Sequence, residues 1–136
     1  MQQRDLLKDQ IEQLGKVLAK ILADFLGWKS TGNPAPGIEA ANERFQNELG
    51  IDIEQLITLD RTEIKAYFRT HQLAEPHLEM LSEYLAAVGK LKNETKQVSG
   101  QLYLKKAIEV LDIADVVSET LSFVRMNKKR EIEKLL

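Results

Sequence analysis

The sequence contains no cysteine, only two histidines and one tryptophan among its 136 residues. Without cysteine there is no disulfide framework, no thiolate zinc site and no cysteine nucleophile. Proline and glycine are scarce as well, with three and seven copies. No apolar run approaches the ~18 residues that a membrane-spanning helix needs. Because so few groups remain for metal or redox chemistry, we expect no cofactor.

An excess of one charge sign is also missing. The chain carries 19 basic and 21 acidic residues, and residues 1–68 and 69–136 have net charges of only −3 and +1. Nucleic-acid-binding domains usually present a basic face, so we expect no nucleic-acid partner. The first ten residues lack the apolar core of a signal peptide, which favours a cytoplasmic protein without a membrane partner. With 43% hydrophobic residues, the chain is predicted to form one domain over residues 1–136.

The first segment has the clearest periodicity. Its apolar residues recur every three or four positions, which predicts a long amphipathic helix over residues 1–28. Gly27 is expected to end this helix in a left-handed conformation. Trp28 would then fold back against Leu22 or Ala23, as a Schellman cap requires.

The apolar stripe of this helix keeps a heptad spacing for nearly three repeats, which is typical of a homodimer seam. The stripe consists of Leu7, Ile11, Leu14, Leu18, Ile21 and Phe25. A stripe of this kind can equally lie against the chain's own core, which is the interpretation we favour. The sequence therefore leaves monomer and homodimer open.

The middle of the chain combines a loop with short helices. Residues 29–37 are dense in glycine and proline and predict a surface loop, and short helices are expected over residues 38–72. Residues 60–63 have the sequence of a capping box. His71 is expected to be packed or to cap a helix end. His77 lies six positions further, too far for both to bind one metal ion from one helix face.

The second half predicts antiparallel helices over residues 76–136. Pro76 suits the first turn of the first one. The polar stretch over residues 92–100 is expected to be a link of about nine residues. Residues 102–117 are apolar on almost every side and are expected to form a central buried helix, and Ser122 can cap a last helix. Since no segment alternates with period two, we predict an all-α bundle of six or seven helices.

Small residues in the apolar helix are spaced as in a tetratricopeptide repeat, with Ala107 and Ala114 seven positions apart and Leu111 between them. Three further blocks carry a resemblance over the whole chain: GIDIEQL (50–56), LYLKKAIEVLD (102–112) and TLSFVR (120–125). In these blocks the chain resembles an uncharacterised family of small bacterial all-helical proteins whose C-terminal half is a degenerate repeat of this kind. The resemblance implies an all-helical fold and a bacterial cytoplasm, and it implies no activity.

Acidic residues recur three or four positions apart along the apolar helix. All-α nucleotide pyrophosphohydrolases hold Mg²⁺ with Glu-x-x-Glu on one helix and Glu-x-x-Asp on another, because a hard cation needs several converging carboxylates. Glu109 and Asp112 match the second pattern, but no Glu-x-x-Glu occurs. We therefore expect a solvated helix edge, and a magnesium site at Glu109, Asp112 and Asp115 is the alternative.

Other patterns give no support for catalysis. The basic run over residues 128–130 is expected to be a solvated helix end. Residues 27–32 lack the residue order of a phosphate-binding loop, and no histidine lies beside a motif-bearing serine. We expect a non-enzymatic domain that binds a protein or peptide, because stacked helix pairs leave a groove. The alternatives are a magnesium-dependent nucleotide pyrophosphohydrolase and a purely self-associating structural protein.

Overall fold

The computed structural model describes residues 2–28 and 33–136, with side chains from residue 8 onward. Within these ranges the chain forms seven helices and no strand. The helices are α1 (Gln2–Gly27), α2 (Ala35–Leu49), α3 (Ile53–Leu56), α4 (Arg61–Thr70), α5 (Glu75–Glu94), α6 (Ser99–Ser118) and α7 (Phe123–Glu133). The predicted all-α bundle is confirmed, as are the long first helix and the short helices that follow it.

Helices α5 and α6 form the closest-packed pair of the bundle. A methyl group added at Gly89 of α5 would lie 2.7 Å from the Leu104 side chain and 3.0 Å from the carbonyl oxygen of Gly100. The reverse addition at Gly100 would lie 2.9 Å from the carbonyl oxygen of Gly89. Neither position has room for a Cβ, so the two backbones approach each other directly at this crossing.

The link between these two helices is shorter than predicted. The prediction of a link over residues 92–100 was wrong, because α5 continues to Glu94 and α6 begins at Ser99. Polar residues can extend a helix along its solvent-facing side, so a polar stretch does not by itself end one. The chain reverses instead near Lys96, which has a left-handed φ of 59°.

An aromatic cluster joins α1, α2 and α5. The ring of Tyr84 on α5 lies 5.0 Å from that of Phe25 and 4.6 Å from that of Phe45, measured between ring centroids. All three side chains are buried. The Tyr84 hydroxyl donates a hydrogen bond to Asn42 Oδ1 at 2.5 Å, and burial raises the pKa of the phenol. The cluster therefore buries large apolar surfaces while its polar atom keeps a partner.

His77 of α5 connects its helix to α1 through its ring nitrogens. The side chain is fully buried, and Nδ1 accepts a hydrogen bond from the Ala74 amide at 2.8 Å. An imidazole that accepts at Nδ1 carries its hydrogen on Nε2, which lies 2.9 Å from the carbonyl oxygen of Ile11 in α1. Both nitrogens are occupied, so this histidine has a packing role.

His71 has the capping role that the sequence predicts. It is the C-cap residue of α4, and its Nδ1 lies 2.9 Å from the carbonyl oxygen of Tyr67. Its Nε2 lies 2.9 Å from the carbonyl oxygen of Gly50, which connects the end of α4 to the end of α2. The predicted capping box at Asp60 and Glu63 is also confirmed, with both reciprocal hydrogen bonds present.

Two predictions for the connection between α1 and α2 were wrong. The first is the loop over residues 29–37, which ends earlier than predicted because α2 already begins at Ala35. Residues 29–32 of this loop lie outside the described residues. Proline fits the first turn of a helix, where no amide hydrogen is needed, so the Pro-Ala-Pro sequence starts a helix here. Gly27 lies within α1 and does not adopt a left-handed conformation, so the predicted cap is not formed.

Helix α6 is buried over most of its length but not on every side. The side chains of Leu102, Val116 and Val117 are exposed, which contradicts the expectation of a helix covered all round. The two valines lie in the last turn of α6, where the described part of the chain covers them only in part. The predicted cap of the last helix is confirmed, because Ser122 Oγ accepts a hydrogen bond from the Arg125 amide at 3.3 Å.

Replacing glycine with alanine should have opposite effects at two helical positions. A methyl group at Gly15 of α1 would have its nearest neighbours at 3.9 Å, an ordinary contact with His77 and Met80. We expect Gly15→Ala to stabilise the fold by about 0.5–1 kcal/mol, because alanine restricts the unfolded chain and favours a helix. Gly89→Ala should destabilise it by about 2 kcal/mol through overpacking. Urea unfolding measures the free energy of unfolding of both variants. A Gly89→Ala variant that is as stable as the wild type would contradict the close approach of α5 and α6.

Candidate functional site

A buried arginine fixes α7 to the rest of the bundle. The Arg125 side chain is 2% exposed, and its Nε donates to Asp115 Oδ1 on α6 at 2.5 Å. Its Nη1 donates to the carboxylate of Glu75 at the start of α5. Its Nη2 donates to Ser118 Oγ at 3.1 Å and to the carbonyl oxygen of Thr120 at 3.0 Å. One guanidinium therefore connects three helices and the turn between α6 and α7.

Lys129 extends this network by one helical turn. Its Nζ lies 2.6 Å from Asp115 Oδ2 and 2.8 Å from Asp112 Oδ1. Arg61 of α4 approaches the same Asp112 from the other side, with 3.2 Å between Nη2 and Oδ2. Burial alone would raise the pKa of Asp115, but hydrogen bonds from Lys129 and Arg125 outweigh it and hold the pKa below its ordinary value of 3.8.

The carboxylates considered as magnesium ligands therefore face the chain's own cations. The third of them, Glu109, lies 2.9 Å from Nζ of Lys106, whose side chain is buried. The expectation of a solvated helix edge was wrong at Asp115, whose side chain is only 10% exposed. Asp112 and Asp115 pair with residues of α4 and α7, as described above. Among the side chains that the structure describes, no three histidine, aspartate or glutamate residues are placed to hold a metal ion. The arrangement supplies a structural ion-pair network.

Most of this network was not predicted from the sequence. The basic run over residues 128–130 was expected to be a solvated helix end, yet Lys129 is partly buried and carries two ion pairs. The signal that could have found it is complementary spacing. Arg125 and Lys129 are four apart, Asp112 and Asp115 are three apart, and each pair lies on one face of its helix.

The residues considered as a dimer seam divide along α1. Leu18, Ile21 and Phe25 are buried in the chain's own core. Ile11 and Leu14 are partly buried, and the side chain of Leu7 lies outside the described residues. The second half of the stripe is therefore already covered by α2 and α5.

An apolar surface lies instead where α6 turns into α7. The side chains of Leu121 and Phe123 are 82% and 84% exposed, and three valines nearby are more than half exposed. We call this surface the apolar apex and define it as Val116, Val117, Leu121, Phe123 and Val124. It falls within nine consecutive residues at one end of the bundle. This surface was not predicted from the sequence, because Val116 and Val117 continue the apolar pattern of the buried part of α6.

The apex continues into a groove between α5 and α7. The groove has a volume of about 440 Å³ and a largely apolar surface. Val124 belongs to both the apex and the groove, Ala86 lines the α5 side, and Ile132 lies further along α7. Polar side chains of Ser82, Glu83, Asn127, Lys128 and Glu131 complete the lining. An apolar strip thus runs from the turn into the space between the two helices.

Comparison of this chain with protein-family models, with curated proteins and with solved structures finds no match. None of the described helices is both long and apolar enough to cross a membrane. The geometry of the chain is therefore the basis for its proposed function.

Replacing Asp115 should remove an acid-dependent part of the stability. Because the folded pKa of Asp115 is lowered, its contribution is present above pH 3.8 and is lost as the pH falls through the folded value. We expect Asp115→Asn to cost about 2 kcal/mol at pH 7 through the lost charged hydrogen bonds. In urea unfolding from pH 7 to pH 2, the free energy of unfolding of the wild type should exceed that of the variant by a margin that shrinks below about pH 4. An advantage that stays constant over this range would contradict the network.

The paired carboxylates should not take up magnesium. We expect isothermal titration of the whole chain with Mg²⁺ to give no binding heat, because a cation would have to displace lysine and arginine from Glu109, Asp112 and Asp115. Saturable binding that is lost in Asp112→Asn would overturn this expectation.

Proposed function

We propose that this chain is a non-catalytic helical domain that binds a protein through the apolar apex. The supporting observation is the exposure of Leu121 and Phe123 beside three exposed valines. Five apolar side chains exposed next to one another are comparable to the largest apolar patch of an ordinary monomer, and such patches commonly mark protein contacts. Phenylalanine is also among the aromatic residues that are enriched at protein interfaces, which agrees with the exposed Phe123.

The neighbouring groove supports the same proposal. Its apolar strip begins at Val124 of the apex and passes between Ala86 and Ile132. A strip of this kind, lying between two helices, suits the apolar face of a partner helix. We expect the apex to supply the main contact and the groove to extend it.

The magnesium-dependent hydrolase has no observation in its favour, since its candidate ligands are paired with cations. The tetratricopeptide-like arrangement of the C-terminal helices, the bacterial origin and the cytoplasmic location stay predictions from the sequence.

A photo-crosslinking amino acid at position 123 should capture the partner of the apex. We expect a discrete crosslinked product at this position and none when the same amino acid replaces Val98, which is 92% exposed at the other end of α6. The partner, once identified and purified, should bind the whole chain directly. Phe123→Glu should weaken that binding by at least about tenfold, the effect of removing an interface hot spot.

Val98→Asp is the matched control, because it makes the same change from an exposed apolar to an acidic side chain at a distant position. Equal crosslinking at positions 98 and 123, or equal affinity of the two acidic variants, would contradict a specific surface at the apex.

A further inference from the structure

We propose that the partner at the apolar apex is a second copy of this chain, in an inference that rests on the proposed function. The five apex side chains leave on the order of 500 Å² of apolar surface in water, which is close to the upper limit for the largest patch on ordinary monomers. Two such faces brought together would bury about 1,000 Å², and the polar rim would add to it. This area reaches the roughly 1,000 Å² expected of a biological interface, and it lies in the range of weak, transient contacts.

A two-fold contact requires a surface that is complementary to itself. The apex meets this requirement, because it is apolar at its centre and carries both charge signs at its edge. Glu119 lies in the turn between Val117 and Leu121, and Lys128 follows Val124 by one helical turn. When two copies face each other in an antiparallel arrangement, Glu119 of one copy can approach Lys128 of the other.

The apex is also held in shape before any partner arrives. Arg125 Nη2 donates to Ser118 Oγ and to the carbonyl oxygen of Thr120, so the turn is fixed from within the same chain. Glu119 adopts a left-handed φ of 57° in this turn. A surface that is already ordered loses less conformational entropy on association, so more of the interaction energy of this small contact remains as affinity.

The charges around the apex favour a protein over a lipid surface. The two cations nearest to it on the inner side of α7, Arg125 and Lys129, are engaged with carboxylates of the same chain. Glu119 is exposed at the turn itself and would face anionic headgroups. Membrane binding by an apolar tip usually needs an excess of free basic residues around it, whereas Lys128 at the edge of the apex is offset by Glu119 in the turn.

Sedimentation equilibrium of the whole chain over about 5–500 µM tests the inference. We expect the mass to rise from 15.5 kDa towards twice that value. Phe123→Glu and Leu121→Asp should each weaken dimerisation by at least about 100-fold, since each places a charge in the apolar centre. Both side chains are more than 80% exposed, so far-ultraviolet dichroism should show unchanged folding. Val98→Asp lies about 30 Å away along α6 and should dimerise like the wild type.

A chain that stays monomeric at 500 µM overturns this inference, and so does a dimer that persists in both apex variants. The crosslinker at position 123 separates the two proposals. A product of twice the chain mass supports the second copy, whereas a product with a different protein overturns it and leaves the proposed function standing. A monomer that gives no crosslink but pellets with anionic vesicles overturns both.

Discussion

The direct contact between the backbones of α5 and α6 is the constraint on which the rest of the arrangement depends. Gly89 and Gly100 bring the two helices so close that neither position accepts a Cβ, and this fixes their crossing. Helices α1 and α2 then pack on α5 through the aromatic cluster around Tyr84 and through the ring nitrogens of His77. The hydrogen bonds of this buried histidine fix the position of α1 along α5 more specifically than apolar packing alone.

The opposite side of the pair is organised by charge. Arg125 and Lys129 bring α7 against α6 and α5, and the carboxylates they contact are the ones whose spacing resembles a metal site. The same spacing of acidic residues therefore suits a metal site or an ion-pair network, and the residues on the neighbouring helices determine which of the two forms. A cluster of carboxylates indicates a cation, but that cation can be a side chain of the same protein.

Local features of this fold could be predicted from the sequence, whereas features that depend on distant residues could not. The stripe ending at Phe25 and the cap at Asp60 follow from spacings of three and four residues, which act within a single helix. The partner of Asp115 lies ten residues further along the chain on another helix. Spacing places the acids on one helix face and the bases on another, but it does not show that the two faces meet. Val116 shows the same limit, because periodicity identifies an apolar residue but not whether another helix covers it.

The way in which α7 is attached has a consequence for the dynamics of the chain. Ile132 is the one apolar side chain of α7 that is buried, and ionic contacts provide most of its other attachment. Detachment of α7 would leave Glu75 and Asp115 without the cations that pair with them, so these contacts hold the first turn of the helix, with Phe123 and Val124, in place. Acid that protonates Asp115 weakens this attachment, so the order of the apex depends on pH.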